Sequence, residues 1–181
     1  MCQPASCFTW ENSLAESVTK WYALTTRSRH EWVVSQQIKV RGLESFLPTK
    51  IETHHWSDRQ KKVELPLFPG YVFFRTVMST EVHRTLHGLR GCAGILTMQG
   101  KPIAIPDEQI SGIQKILEQR FLCTRYPYLT LGRRVRIRGG SLEGIEGILI
   151  SASGENRLVI SVDSIARSFA IQIEGYEVEQ V

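Results

Sequence analysis

The spacing of apolar positions changes several times along the chain, and each change marks an element. Trp21-Tyr22-Ala23-Leu24-Thr25 is a compact apolar run that predicts a strand. Ser28 and Glu31 have the spacing of a capping box, which predicts a helix start. Val34 and Ile38 then share one helical face, and Gly42 supplies a left-handed stop. Glu44 to Pro48 reads as a second strand. Lys62-Val63-Glu64-Leu65 alternates as a half-buried strand does, and the turn Phe68-Pro69-Gly70 leads into a further strand, Tyr71-Val72-Phe73-Phe74. Two more helices are predicted, Ser79 to Gly88 with Val82 and Leu86 inward, and Asp107 to Arg120 with Ile110, Ile113 and Leu117 inward. Asp107 and Glu108 suit the positive end of the latter.

From Arg134 onward the period is two. Arg134 to Arg138 alternates, Gly139-Gly140 breaks it, and Gly147 to Ile150, Leu158 to Val162 and Phe169 to Ile173 follow at turn-separated intervals. Short strands at this spacing within residues 132–181 must curl to bury a shared face, which predicts a small barrel. Tyr126-Pro127-Tyr128 interrupts the pattern after the last helix. The expected organisation is therefore a flexible tail (1–19), a mixed α and β domain (20–120), a linker (121–131) and an all-β domain (132–181), an α+β chain.

Charge follows the same division. Through Arg125 there are 16 Lys and Arg against 11 Asp and Glu, a balance of +5; from Tyr126 there are 6 against 7, a balance of −1, and the two sum to the net +4. All five histidines and all four tryptophans lie there too. Mild basicity is compatible with an anionic partner without requiring one. No apolar run reaches the roughly 20 residues of a membrane span, and the first twenty residues lack the basic start and apolar core of a secretory signal. Cys2, Cys7, Cys92 and Cys123 form no CxxC pair, which argues against structural zinc or a disulfide framework and makes a reducing cytoplasm the expected location.

Catalytic motifs are missing: no GxSxG, GxxxxGK[ST], GxGxxG or HExxH occurs, so neither an enzyme nor a cofactor is implied. His83 and His87 are spaced i, i+4 and could share a metal, but spacing offers no third ligand, and solvent-facing histidines are the plainer reading. His54-His55 reads as a loop beside Trp56. Cys92 and Cys123 would be nucleophiles only with a histidine brought to them in space. Arg59-Gln60-Lys61-Lys62 and Arg27-Ser28-Arg29-His30 are small basic groups, suited either to solvent or to phosphate contacts. The most informative stretch is Leu67 to Phe74. Both of its alternating sets, Val72/Phe74 and Tyr71/Phe73, are apolar, so the sheet is either covered on both faces or offers one to a partner.

Trp21-Tyr22, the run LFPGYVFF from Leu67 to Phe74, and the GxxVRIxxG pattern from Gly132 to Gly140 together resemble the NusG family of transcription elongation factors. Thr26 to Glu31, Phe46-Leu47-Pro48 and Trp56 to Arg59 look closest to its specialised RfaH-like and UpxY-type antiterminators. The resemblance spans about residues 20 to 181. It implies an NGN domain, an antiparallel sheet flanked by helices, followed by an SH3-like KOW barrel. It also implies an apolar surface that grips the clamp helices of RNA polymerase, with Phe68, Pro69, Gly70 and Tyr71 at the matching positions. Trp21 and Tyr22 stand on the adjoining strand, though Trp21 equally suits the core. Arg27, Gln37 and Arg41 match an edge facing the non-template DNA strand. Val82-His83-Arg84-Thr85 stands where such antiterminators carry a histidine–threonine run that touches the far side of the polymerase cleft. The KOW barrel is expected to recruit a ribosomal small-subunit protein or the termination factor Rho, and the direction of the effect depends on which. The β pattern of Val135 to Ile173 predicts a barrel rather than a helical hairpin. A translation-linked RNA-binding protein is the competing reading, and it calls for a more basic barrel than this one.

Overall fold

The computed structural model describes residues 18–55, 60–129, 132–152 and 155–181. Its first half is built on a four-stranded antiparallel sheet of β1 (Lys20–Thr26), β2 (Glu44–Phe46), β5 (Tyr71–Thr76) and β6 (Cys92–Ile95), in the order β2-β5-β1-β6. Register pairs Tyr22 with Phe74, Ala23 with Phe73 and Leu24 with Val72. Since side chains alternate across a strand, these pairs divide the apolar residues between the two faces. Tyr22, Leu24, Val72 and Phe74 pack against Val34 and Ile38 of α1 (Glu31–Val40) and Leu86 of α2 (Thr80–His87). Trp21, Ala23 and Phe73 pack on the other face against Ile110, Ile113 and Ile116 of α3 (Asp107–Glu118).

Local chemistry explains most of these elements. Ser79 caps α2 by accepting from the Val82 N–H at 3.2 Å. Gly42 ends the first helix at φ 76°, as expected. The predicted capping box does not form: α1 begins at Glu31, His30 precedes it without a side-chain cap, and the Glu31 carboxylate is turned inward. On α3 the third inward residue is Ile116 rather than Leu117, which is half-buried. A two-stranded arm, β3 (Thr49–His55) with β4 (Gln60–Pro66), projects from the sheet, so His54 and His55 lie at the end of a strand instead of in a loop. Trp56 to Arg59 fall outside the described residues. A short hairpin of β7 (Thr97–Met98) and β8 (Lys101–Pro102), like β6, has no clear signal in the sequence.

The second half is a six-stranded antiparallel sheet in the order β14-β10-β11-β12-β13-β9. Its strands are β9 (Thr124–Tyr126), β10 (Arg133–Arg138), β11 (Glu146–Ala152), β12 (Glu155–Val162), β13 (Arg167–Gln172) and β14 (Glu177–Gln180). Val135 and Ile137 of β10 share one core with Phe169 and Ile171 of β13, three strands away. In a flat sheet those strands would lie roughly 14 Å apart at about 4.8 Å per step, so the sheet curls as a barrel does. β9 lies within the stretch expected to be a linker. It pairs Thr124, Arg125 and Tyr126 with Ala170, Phe169 and Ser168, so the connection is itself a barrel strand.

Candidate functional site

The turn at Phe68-Pro69-Gly70 is held from three directions. The Tyr71 N–H donates to the Phe68 carbonyl at 3.2 Å, and the Thr26 N–H donates to the Gly70 carbonyl at 2.9 Å. The Gly70 N–H donates to the Glu31 carboxylate at 2.8 Å. Gly70 has φ 85°, the left-handed region that favours glycine. Glu31 is only 5% exposed, so its charge is satisfied by the turn instead of by water. The sequence suggested a helix cap for this carboxylate; its partner lies 39 residues away, and no local spacing could reveal it.

From this turn a chain of aromatic rings runs across the sheet. Trp21 meets Phe46 at 6.3 Å between centroids, Phe46 meets Phe73 at 6.2 Å, and Phe73 meets Phe68 at 6.0 Å. The chain then leaves the domain, because Phe68 meets Phe169 of β13 edge-to-face at 5.9 Å. Phe68 is consequently just 2% exposed. Leu67, Phe68 and Pro69 face Arg125, Tyr126, Arg167 and Ser168 across a cleft of about 240 Å³. A second tie lies farther along: the Tyr128 hydroxyl and the Gln109 amide of α3 both donate to the Asp163 carboxylate, at 3.0 and 3.4 Å.

The sheet is thus covered on both faces, the second by α3 at the Trp21 and Phe73 end and by the barrel at the Phe68 end. The expected open apolar surface is not open in this arrangement. Trp21, Phe68 and Tyr71 do gather on one face, with Pro69 exposed beside them and Gly70 half-buried. Tyr22 does not join them. It stacks on Phe74 at 5.7 Å within the α1/α2 core, and burial there raises its phenol pKa.

The other predicted residues occupy separate places. Arg84 and Thr85 are exposed on α2, across the sheet from Phe68, and the His83 ring meets His87 at 4.6 Å between centroids, tilted by 40°. No group of three or more metal-ligating side chains occurs among the described residues. Arg27 is exposed, with its N–H bonded to the Gly91 carbonyl at 2.8 Å. Gln37 gives both ends of its amide to the Arg90 backbone, at 3.0 and 3.1 Å, while Arg41 donates to the Gln37 carbonyl at 3.0 Å. On the barrel, Arg136 pairs with Glu146 at 2.9 Å and Arg138 with Glu179 at 2.5 Å. Carboxylates therefore occupy much of that basic strand. Burial pushes the Cys123 thiol up to about 11, with Lys50 partly opposing it, and the half-buried Cys92 is also raised by burial.

The family model described as transcription termination factor NusG matches residues 19–114. That is more than half of the chain. The chain belongs to the NusG family of transcription termination/antitermination factors. The match spans the four-stranded sheet and ends within α3. Curated relatives extend the likeness through the barrel. The transcription termination/antitermination protein NusG of Lactococcus lactis is 23% identical over 187 residues, covering 94% of this chain and 98% of its own. NusG of Staphylococcus carnosus is 27% identical, covering 90% and 96%. Among solved structures, one described as domain interaction in Thermotoga maritima NusG superposes with a TM-score of 0.57 at 20% identity, covering 91% of this chain and 98% of that one. The first domain here accordingly corresponds to NGN and the barrel to KOW. No helix among the described residues is long and apolar enough to cross a membrane.

Proposed function

We propose that this NusG-family chain binds RNA polymerase at the clamp helices through the NGN face formed by Trp21, Phe68, Pro69, Gly70 and Tyr71. The observation that carries the reading is the aromatic chain ending at the pinned turn. It is an apolar surface on a rigid sheet, larger than its own domain covers, and a separate domain completes its burial. Large apolar patches on a soluble chain mark binding sites. Polymerase and barrel compete for one surface, so binding requires the barrel to move off Phe68.

His83, Arg84 and Thr85 lie across the same sheet and are suited to touch the opposite side of the cleft. A protein that bridges both sides favours the closed, elongating polymerase by its differential affinity for that state. This supports a factor that suppresses pausing or termination. The released KOW barrel recruits a second protein, a ribosomal small-subunit protein or Rho, and that choice sets the direction of the effect. From Tyr126 onward 6 Arg stand against 7 Asp and Glu, and Arg136 and Arg138 are ion-paired, which disfavours the RNA-binding alternative. The test is binding of the purified chain to core RNA polymerase beside Phe68→Ala with Tyr71→Ala. Loss of binding by a folded double variant supports the site. Equal binding by both proteins refutes it.

A further inference from the structure

α3 ends in an arrangement its own residues do not favour. The Arg120 N–H donates to the Leu117 carbonyl at 3.1 Å and the Phe121 N–H to the Ile116 carbonyl at 3.4 Å, the paired bonds of a Schellman cap. Such a cap needs a left-handed residue just past the helix, and Arg120 supplies it at φ 56°. Glycine is the usual occupant, because a side chain at positive φ crowds the following carbonyl. Arg29, Gln99 and Ala166 also have positive φ, but of these four Arg120 alone stands between the two domains.

The cap turns the chain so that Phe121 meets Tyr176 of the barrel at 6.2 Å between centroids. Leu122 is left 82% exposed, and its N–H has no hydrogen-bond partner among the described residues. A second course is open to the same segment. Nothing from Gln119 to Leu122 breaks a helix, and Gln, Arg and Leu are good helix formers. Continued helically, Phe121 falls four residues after Leu117 and eight after Ile113, on the inward stripe of α3. The Arg120, Phe121 and Leu122 N–H groups then take the Ile116, Leu117 and Glu118 carbonyls. Both cap bonds are replaced, a third is added, and Arg120 leaves the left-handed region.

We infer that Arg120 is a strained joint that opposes closure: the closed arrangement holds it left-handed, and separation of the barrel lets α3 grow through Leu122, carrying Phe121 from Tyr176 to the α3 stripe. The strain offsets part of what the Phe68–Phe169 and Gln109–Asp163 contacts contribute, so the barrel is held less tightly than those contacts alone would hold it. A merely slack connection would have neither an ordered cap nor a left-handed arginine at its start. The inference deepens the reading that the barrel must leave Phe68, and it rests on that reading for the polymerase measurement alone.

The test compares wild type, Arg120→Gly and Arg120→Ala as full chains. Both variants lose the guanidinium, but only glycine relieves the left-handed strain. Alkylation of Cys123, 7% exposed in the shared core, reads separation without polymerase and is followed by peptide mass spectrometry. While the closed form dominates, Arg120→Gly should slow it about 5- to 30-fold, the cost of one left-handed non-glycine residue. Arg120→Ala should stay within about twofold of wild type, since alanine keeps the strain and is as good a helix former as arginine. Amide exchange at Leu122 reads the helix. In Phe169→Ala, which removes the barrel's hold on Phe68, it should be about twofold or more slower than in wild type. The inference is overturned if Arg120→Gly labels as fast as wild type, if Arg120→Ala slows as much as Arg120→Gly, or if Leu122 exchange in Phe169→Ala is unchanged or faster. Polymerase affinity of Arg120→Gly should fall by the same factor as its labelling rate. Slowed labelling with unchanged polymerase affinity would uphold the joint and refute the competition between barrel and polymerase instead.

Discussion

Truncating Phe169 removes the barrel side of the aromatic contact, and it should strengthen polymerase binding although the residue belongs to neither the NGN sheet nor its turn. The Phe68–Phe169 pair is edge-to-face at 5.9 Å, worth about 0.5–1.5 kcal/mol beyond area burial. Phe68 already rests on Phe73, so the barrel supplies only part of its burial, about 1–1.5 kcal/mol of the ~1.5–3 for a whole side chain. Together these give ~1.5–3 kcal/mol, a change of roughly 10- to 150-fold in the closed-to-open ratio. While the closed form dominates, apparent affinity rises by the same factor, because it scales with the competent fraction.

Phe169→Ala also costs the barrel core about 3–5 kcal/mol. An unfolded barrel uncovers Phe68 as well, so the expected direction is the same. A milder variant separates the two effects. Asp163→Ala deletes the acceptor for Gln109 of α3 without removing core atoms, and it should raise affinity about threefold, from ~0.5–1 kcal/mol for an exposed hydrogen bond. Both would be read by titrating labelled protein with core polymerase. Wild-type affinity in both variants would refute competition between barrel and polymerase for one surface. Weaker binding by Phe169→Ala alone would make that ring a contact in its own right.

Other consequences are simpler to measure. Glu31→Ala strands the half-buried Gly70 N–H and should cost about 1.5–3 kcal/mol in denaturant unfolding, with Glu31→Gln recovering part through its amide oxygen. Gly70→Ala meets no atom within 4 Å, so its cost is conformational, about 1–2 kcal/mol for a left-handed alanine; a much larger loss of melting temperature would mean the turn is packed more tightly than described. Cys123 should alkylate at pH 8 about a hundredfold more slowly than an ordinary thiol, because its pKa near 11 leaves little thiolate, and Asp163→Ala should speed it, as followed by peptide mass spectrometry. The sign of that shift also predicts that its contribution to folding is intact below the unfolded thiol pKa of about 8.5 and is lost as pH rises towards 11.

Legibility in the sequence tracked the range of the interaction responsible. Period-two runs and the two well-marked helices were readable because side-chain alternation, the Ser79 cap and the Gly42 stop act over a few residues. The all-β character of the C-terminal part was readable from the same alternation. What escaped depends on distant partners. Glu31 has the spacing of a cap, yet a backbone donor 39 residues on captures it. Tyr22 and Trp21 are neighbours in sequence, but the pleat sends them to opposite faces, so grouping them in one site conflicted with the alternation used elsewhere. Thr124 to Tyr126 is too short and too near Pro127 to read as a strand, and it forms one because the edge of β13 offers free backbone groups.

The doubly apolar strand at Tyr71 to Phe74 ties these points together. A sheet with helices on one face alone needs apolar residues at alternate positions, whereas this strand has them at all of Tyr71, Val72, Phe73 and Phe74. α3 covers the Trp21 and Phe73 end of the second face, and the barrel covers the Phe68 end. Had that face served only stability, one longer helix could have buried it permanently. It is closed instead by a domain reached through residues 119–132, whose own strand β9 joins the barrel sheet. Any opening that uncovers Phe68 therefore has its hinge before Thr124, with β9 moving as part of the barrel. A cover built this way is removable as a unit, with its hydrogen bonds intact. That is what competition with a polymerase for the same aromatic surface requires.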